Sequence, residues 1–225
     1  MSRSIPFLGA FALSIALFAL GAQLHVDALR LATKALPVAI LAVWVARAAL
    51  PGPFRSRLVF GLALCAVGDL VLELGYFVPG LVAFLVGHLG YAAAFLVVTR
   101  APRPLRALPF ALFGVSVLAL LRHGLGPMAL PVALYTTAIC LMMWRAAAAV
   151  SRDRPWATPI AVGAVVFAAS DTMIAVSRFS APFSNASVLI MTTYWLGQVL
   201  IAAGGVRMAE TEAEAETETE TATRG

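Results

Sequence analysis

Eight runs of mainly apolar residues, separated by Pro, Gly and Arg, constrain this chain more than any other feature, because a helix needs about 20 such residues to cross the hydrocarbon of a bilayer. They lie at roughly 5–22, 31–50, 58–75, 80–99, 106–122, 127–149, 157–177 and 187–206. Between them stand breaker sequences such as "LPGPFRSR", "TRAPRPLR" and "SRDRPWATP". Hydrophobic residues make up 61% of the chain, against about 45–50% apolar in a soluble domain. The expected fold class is therefore an all-α integral membrane protein, a bundle of about eight transmembrane helices. The fifth run is the shortest, and a re-entrant or tilted segment is the alternative there.

The formal net charge of +5 does not point to nucleic acid. A nucleic-acid footprint clusters its basic residues, whereas these sit between apolar runs, as membrane topology requires. Eight spans put both termini on one side. Of the sixteen Lys and Arg residues, eleven fall on that side and four (Arg30, Lys34, Arg122 and Arg178) on the other, with Arg224 in the distal tail. Positive loops stay in the cytoplasm, so both termini are expected there, in a multi-pass protein of a bacterial inner (plasma) membrane. The first run is expected to be retained as a span, with a cleaved signal peptide as the alternative. A transmembrane domain is expected over 1–208. The tail over 209–225, "AETEAEAETETETATRG", holds six Glu and little that is apolar, and is expected to be disordered. Cys65 and Cys140 lie inside apolar runs and read as small buried hydrophobes.

Outside the tail the chain has five acids: Asp27, Asp69, Glu73, Asp153 and Asp171. Asp69, Glu73 and Asp171 fall within apolar runs, where a charge costs at least about 2.5–3.5 kcal/mol and faces the bundle interior or a water-filled cavity. At a rise of about 1.5 Å per residue, Asp69, His88, Tyr135, Asp171 and Tyr194 all lie roughly 8–12 Å from the same face of the membrane. Lys34 enters its span from that face. Six helices thus place polar groups in one layer, which predicts a polar pocket in that half of the bilayer. Asp69 and Glu73 are spaced i, i+4, as are Tyr194 and Gln198, so each pair shares a helix face; His88 and Tyr91 are i, i+3. Two carboxyls in a dry pocket titrate as a pair, one holding a proton while the other is ionised, which supplies a general acid and a general base. No nucleophile signature accompanies them, no metal spacing is diagnostic, and no cofactor or metal is expected.

Each of these residues also has a structural reading. The aspartates, Tyr91, Tyr135, Tyr194 and Gln198 join helices in that reading; Glu73 sits in the interface, and Lys34 snorkels or pairs with an acid. Buried acids also suit a second functional class, a proton-coupled transporter or lipid-binding membrane protein. An internal echo is compatible with either class: "ALPVAIL" at 35–41 returns as "ALPVALY" at 129–135, and Asp69 and Phe77 return as Asp171 and Phe179. Two parallel four-helix halves would give this pattern.

The segments "GDLVLEL", "FLVGHLGY", "SDTMIAVSRF" and "YWLGQVLI", with "TKALPV" and "LPVALY", resemble the motif series of the YhhN-like family, the integral-membrane lysoplasmalogenases. The resemblance covers roughly 30–205. It implies an eight-span enzyme that hydrolyses the vinyl-ether bond of a lysoplasmalogen, or of a related ether lysolipid, to a fatty aldehyde and a glycerophospho-base. It implies site roles for Asp69, Asp171, His88 and Tyr91, and weaker ones for Tyr194 and Gln198. The combined expectation is Asp69, Asp171 and His88 as catalytic residues. Lys34, Glu73, Tyr91, Tyr135, Tyr194 and Gln198 are the expected substrate-binding residues. The expected partners are a lysophospholipid substrate and membrane lipids, not nucleic acid.

Overall fold

A computed structural model describes residues 4–50 and 52–224, with side chains described through Thr211. Its helices are α1 (Ile5–Gln23), α2 (Asp27–Lys34), α3 (Leu36–Ala46), α4 (Gly52–Glu73), α5 (Phe77–Val98), α6 (Leu108–Leu121), α7 (Ala129–Ala149), α8 (Ala157–Phe179) and α9 (Ala186–Arg224). No strand occurs among the described residues. Seven helical segments are long and apolar enough to cross a membrane. The eighth, α4, is equally long but carries Arg55, Arg57, Asp69 and Glu73, and it packs between α3 and α5. Large apolar side chains cover the outside, among them Leu13, Val43, Phe60, Val82, Leu112, Val165 and Leu196, as on a surface solvated by lipid rather than water. The protein is an all-α, multi-pass integral membrane protein. The acidic tail expected over 209–225 lies, from position 212 on, outside the described side chains.

The second span differs from its expected single helix over 31–50. It begins at Asp27 and breaks at Ala35 into α2 and α3. Pro37 causes the break: it has no N–H to return to the preceding turn, but it fits the first turn of a new helix. Asp27 in the first turn of α2 and Lys34 in its last complement the helix dipole.

Two hairpins, α4–α5 and α8–α9, have the most extensive helix contacts. Gly75, at φ +88°, lets the first reverse within Leu74–Tyr76, a left-handed conformation that costs other residues about 1–2 kcal/mol. Both hairpins close on glycine. A Cβ on Gly61 would lie 3.1 Å from the Gly87 carbonyl oxygen, and one on Gly163 would lie 2.7 Å from that of Gly197. Gly61 and Gly163 are 102 positions apart, the separation of Asp69 from Asp171 and of Phe77 from Phe179. Helices approach this closely in a membrane only where side chains are small.

At one end of the bundle, arginines bond helix-terminal carbonyls. Arg103 donates to the Val150 carbonyl (2.9 Å) and Arg106 to those of Ala147 and Val150 (2.6 and 2.8 Å). Arg145, almost fully buried, donates to the carbonyls of Thr99 and, at 3.1 Å, Ala101. These contacts satisfy acceptors that a helix end leaves open.

Most of the core is one cluster, running from Phe18 and Leu41 through Phe84 and Phe167 to Val206. A second, small cluster (Val117, Leu121, Leu125 and Val132) packs α6 onto α7. Phe113 packs against both clusters, and the cleft described below opens beside it. Gly163→Ala is expected to lose about 1–3 kcal/mol, because α9 must move away. Gly9→Ala, whose Cβ meets nothing, is expected to be neutral or to gain up to about 1 kcal/mol. Unfolding of both variants by SDS titration in mixed micelles measures the difference.

Candidate active site

The two hairpins face each other across side chains rather than backbone. Between them stands an aromatic wall. Phe84 of α5 meets Phe167 of α8 and Tyr194 of α9, with ring centroids 6.3 and 5.9 Å apart. Phe167 meets Tyr194 at 5.2 Å and the His88 ring at 4.8 Å. Gly68 leaves room for the wall, since a Cβ there would lie 2.6 Å from the Phe84 ring.

The two carboxyls are held by different partners. Asp69, buried in α4, accepts a hydrogen bond of 2.7 Å from the Tyr194 hydroxyl. Asp171 in α8 accepts one of 2.6 Å from the Tyr135 hydroxyl of α7. His88 Nε2, from α5, lies 3.1 Å from the same Asp171 oxygen and 2.9 Å from the Tyr135 hydroxyl. With the Tyr135 proton on Asp171, an Nε2–H donor satisfies both contacts. Both contacts to the carboxyl fall on Oδ2, so two helices, α5 and α7, fix it through one oxygen and leave Oδ1 free of them.

The other expected residues form two separate groups. Tyr91 donates a hydrogen bond of 2.7 Å to Gln198 in a fully buried pair. Glu73 accepts from Lys34 at 2.7 Å and from Arg30 at 2.8 Å, toward the outside of the bundle. Of the two readings for Lys34, pairing with an acid is the one adopted. Among the described residues, His88 Nδ1 and Gln198 Nε2 are buried without a hydrogen-bond partner.

An apolar cleft of about 640 Å³ of empty space, its mouth included, opens beside Asp171. Its walls are Leu72, Phe77, Leu81 and Phe84 from α4 and α5, Phe113 and Val117 from α6, Val132 and Ile139 from α7, and Ala168, Ile174, Ala175 and Phe179 from α8. Its polar lining is Tyr135, Thr136, Asp171 and Thr172. Of the expected residues, Asp171 and Tyr135 line the cleft and His88 reaches it through both. Asp69, Tyr194, Glu73, Lys34, Tyr91 and Gln198 are not among its lining residues.

Sequence reasoning missed Arg30, which it counted only as a topological charge, although Arg30 and Lys34 are spaced i, i+4 on α2. It also missed Phe84, Phe167, Thr136 and Thr172. A phenylalanine facing the core and one facing lipid, such as Phe60, leave the same mark in an apolar run.

The YhhN family model matches residues 29–205, which is most of the chain and contains every residue of this site. The chain belongs to the YhhN family. Among curated relatives it is 36% identical over 168 residues to Lysoplasmalogenase TMEM86A of Homo sapiens, covering 70% of this chain and 68% of that protein. It is 34% identical over 188 residues to human Lysoplasmalogenase TMEM86B, covering 77% and 74%. To the Lysoplasmalogenase of Mycobacterium bovis it is 36% identical over 180 residues, covering 74% and 67%. No solved structure gives a significant match. Family membership leaves the Asp69–Tyr194 contact open to a direct test. A double-mutant cycle with Asp69→Ala and Tyr194→Phe, read by SDS titration, is expected to give a coupling of about 1 kcal/mol, the scale of interhelical hydrogen bonds in membranes. Additive effects would show that the contact adds nothing.

Proposed function

We propose that the protein is a lysoplasmalogenase, which hydrolyses the vinyl-ether bond of a lysoplasmalogen or a related ether lysolipid to a fatty aldehyde and a glycerophospho-base. The observation that carries this reading is the apolar cleft with one carboxyl, Asp171, among its lining residues, in a chain whose relatives bear that enzyme's name. A hydrocarbon chain fits the lining, and an acid is what this chemistry needs.

A vinyl ether resists base and nucleophiles because its double bond is electron-rich; acid opens it. Protonated Asp171 gives its proton to the alkene carbon remote from the ether oxygen, which leaves an oxocarbenium ion at the adjoining carbon. The Asp171 carboxylate then lies against that cation, as carboxylates do in glycosidases. Water adds to the cationic carbon and returns a proton to Asp171. The resulting hemiacetal collapses: its carbon–oxygen bond to glycerol breaks, and its hydroxyl proton passes to the leaving oxygen. One water is consumed, no redox change occurs and no covalent intermediate is needed.

The remaining residues position this acid. Tyr135 and His88 hold Oδ2, so Oδ1 carries the proton to and from substrate. Asp69 is the second carboxyl; through Tyr194 it braces the wall of Phe84 and Phe167 behind His88. With both termini in the cytoplasm, as the arginine bias implies, the cleft belongs to the outer half of the bilayer.

Aldehyde release from a defined lysoplasmalogen by purified protein tests the reading. Asp171→Asn is expected to lower turnover by about 10²–10⁴, the range for removing a general acid. Asp69→Asn still accepts the Tyr194 hydrogen bond and is expected to retain more activity. Full activity in Asp171→Asn, or no aldehyde from folded wild-type protein, would sink the proposal.

A further inference from the structure

Four basic residues gather at the end of the bundle where α4, α6 and α8 terminate, and three of them have polar partners. Arg30 and Lys34 share Glu73, and Arg122 lies 2.8 Å from the His123 ring nitrogen. Arg178 differs. It is exposed, and among the described residues no carboxylate lies within ion-pair distance of it. Its guanidinium carbon instead sits 3.7 Å from the centre of the Phe77 ring and 6.0 Å from that of Phe179. These two rings meet edge to face at 6.0 Å, and both line the cleft.

Arg178 is two helical turns beyond Asp171, on the same face of α8. The axial separation is about 10.5 Å, and side chains on a helix lean toward its N-terminus, here back toward Asp171. A guanidinium stacked on an aromatic floor keeps the N–H edges of its plane free, and those edges match a phosphate. The cleft therefore has an acid in its wall, a hydrocarbon lining around that acid, and at its rim a cation with no counter-charge among the described residues.

We propose that Arg178 anchors the phosphodiester of a single-chain glycerophospholipid, with the hydrocarbon in the cleft and the reacting ether beside Asp171. This rests on the lysoplasmalogenase reading and deepens it: the enzyme selects phosphate-bearing ether lipids over neutral ones. The dimensions agree. Phosphorus and ether oxygen are separated by about five single bonds, roughly 6 Å when extended, and the long Arg178 side chain spans the rest.

The test compares 1-alkenyl-glycerophosphoethanolamine with phosphate-free 1-alkenylglycerol, using the purified full chain as wild type, Arg178→Gln and Arg178→Lys. Both substrates report on the same folded fraction, so the ratio of their kcat/KM values is insensitive to partial misfolding. In Arg178→Gln this ratio is expected to fall at least about tenfold in favour of the neutral lipid, through KM on the phosphorylated one. Arg178→Lys is expected to recover part of it. An unchanged ratio overturns the proposal.

A second arm measures binding of the non-hydrolysable 1-alkyl analogues, and of sodium phosphate alone, by intrinsic tryptophan fluorescence. Arg178→Gln is expected to weaken the phosphorylated analogue at least about tenfold relative to the neutral one. Sodium phosphate at millimolar concentration is expected to give no saturable change; binding at the lipid's affinity would make this a free-anion site and overturn the proposal. If wild-type protein releases no aldehyde but this discrimination holds, the lysoplasmalogenase reading fails and the anchor stands. If the discrimination is absent, the anchor fails whatever the chemistry.

Discussion

A carboxyl group in hydrocarbon must find a donor, and the rest of this bundle is arranged around that requirement. Unsatisfied, each would cost several kcal/mol. The donors come from helices distant in sequence: Asp69 reaches 125 residues to Tyr194, and Asp171 reaches 83 to His88. Helices in a membrane have little hydrophobic reason to choose one neighbour over another. The polar pairs supply that choice. They turn the α4–α5 hairpin toward the α8–α9 hairpin, while glycine contacts close each hairpin internally.

The two ends of the bundle use their cations differently. At one end, Arg103, Arg106 and Arg145 bond backbone carbonyls and tie α7 to the chain that follows α5. At the other, Arg30 and Lys34 bond a carboxylate and Arg178 stacks on aromatic rings. Arginine is thus structural where it meets the peptide backbone and open to a ligand where it meets only rings. Between these ends the main core and the small α6–α7 core are distinct clusters that meet at Phe113. The cleft opens beside that residue, and α6 is its outer wall.

How much of this could be read from the sequence depended on contrast with the surroundings. Asp69, Glu73, His88 and Asp171 stood out as charges within oil, and the shared depth of Tyr135 and Tyr194 tied them to the same layer. The spans were legible as apolar runs, apart from the break at Ala35, for which Pro37 was the visible cause. The pairing was not legible. Depth places Asp69 and Asp171 together, and only the three-dimensional arrangement assigns Tyr194 to one and Tyr135 to the other. The cleft was not legible either, because its lining residues resemble those that face lipid.

The Asp69–Tyr194 contact has a consequence for how the protein is made. Helix α4 is the span with the most charges and the least claim to enter a bilayer alone. Synthesis proceeds from the N-terminus, so Arg30 and Lys34 are already available to Glu73 when α4 emerges. Tyr194 belongs to the final span. Until that span is delivered, Asp69 lacks the donor that it has in the finished protein and the aromatic wall lacks one of its rings. The first half of the chain therefore waits on α9, and a polypeptide halted short of it would present the insertion machinery with an apolar span whose acid lacks its donor.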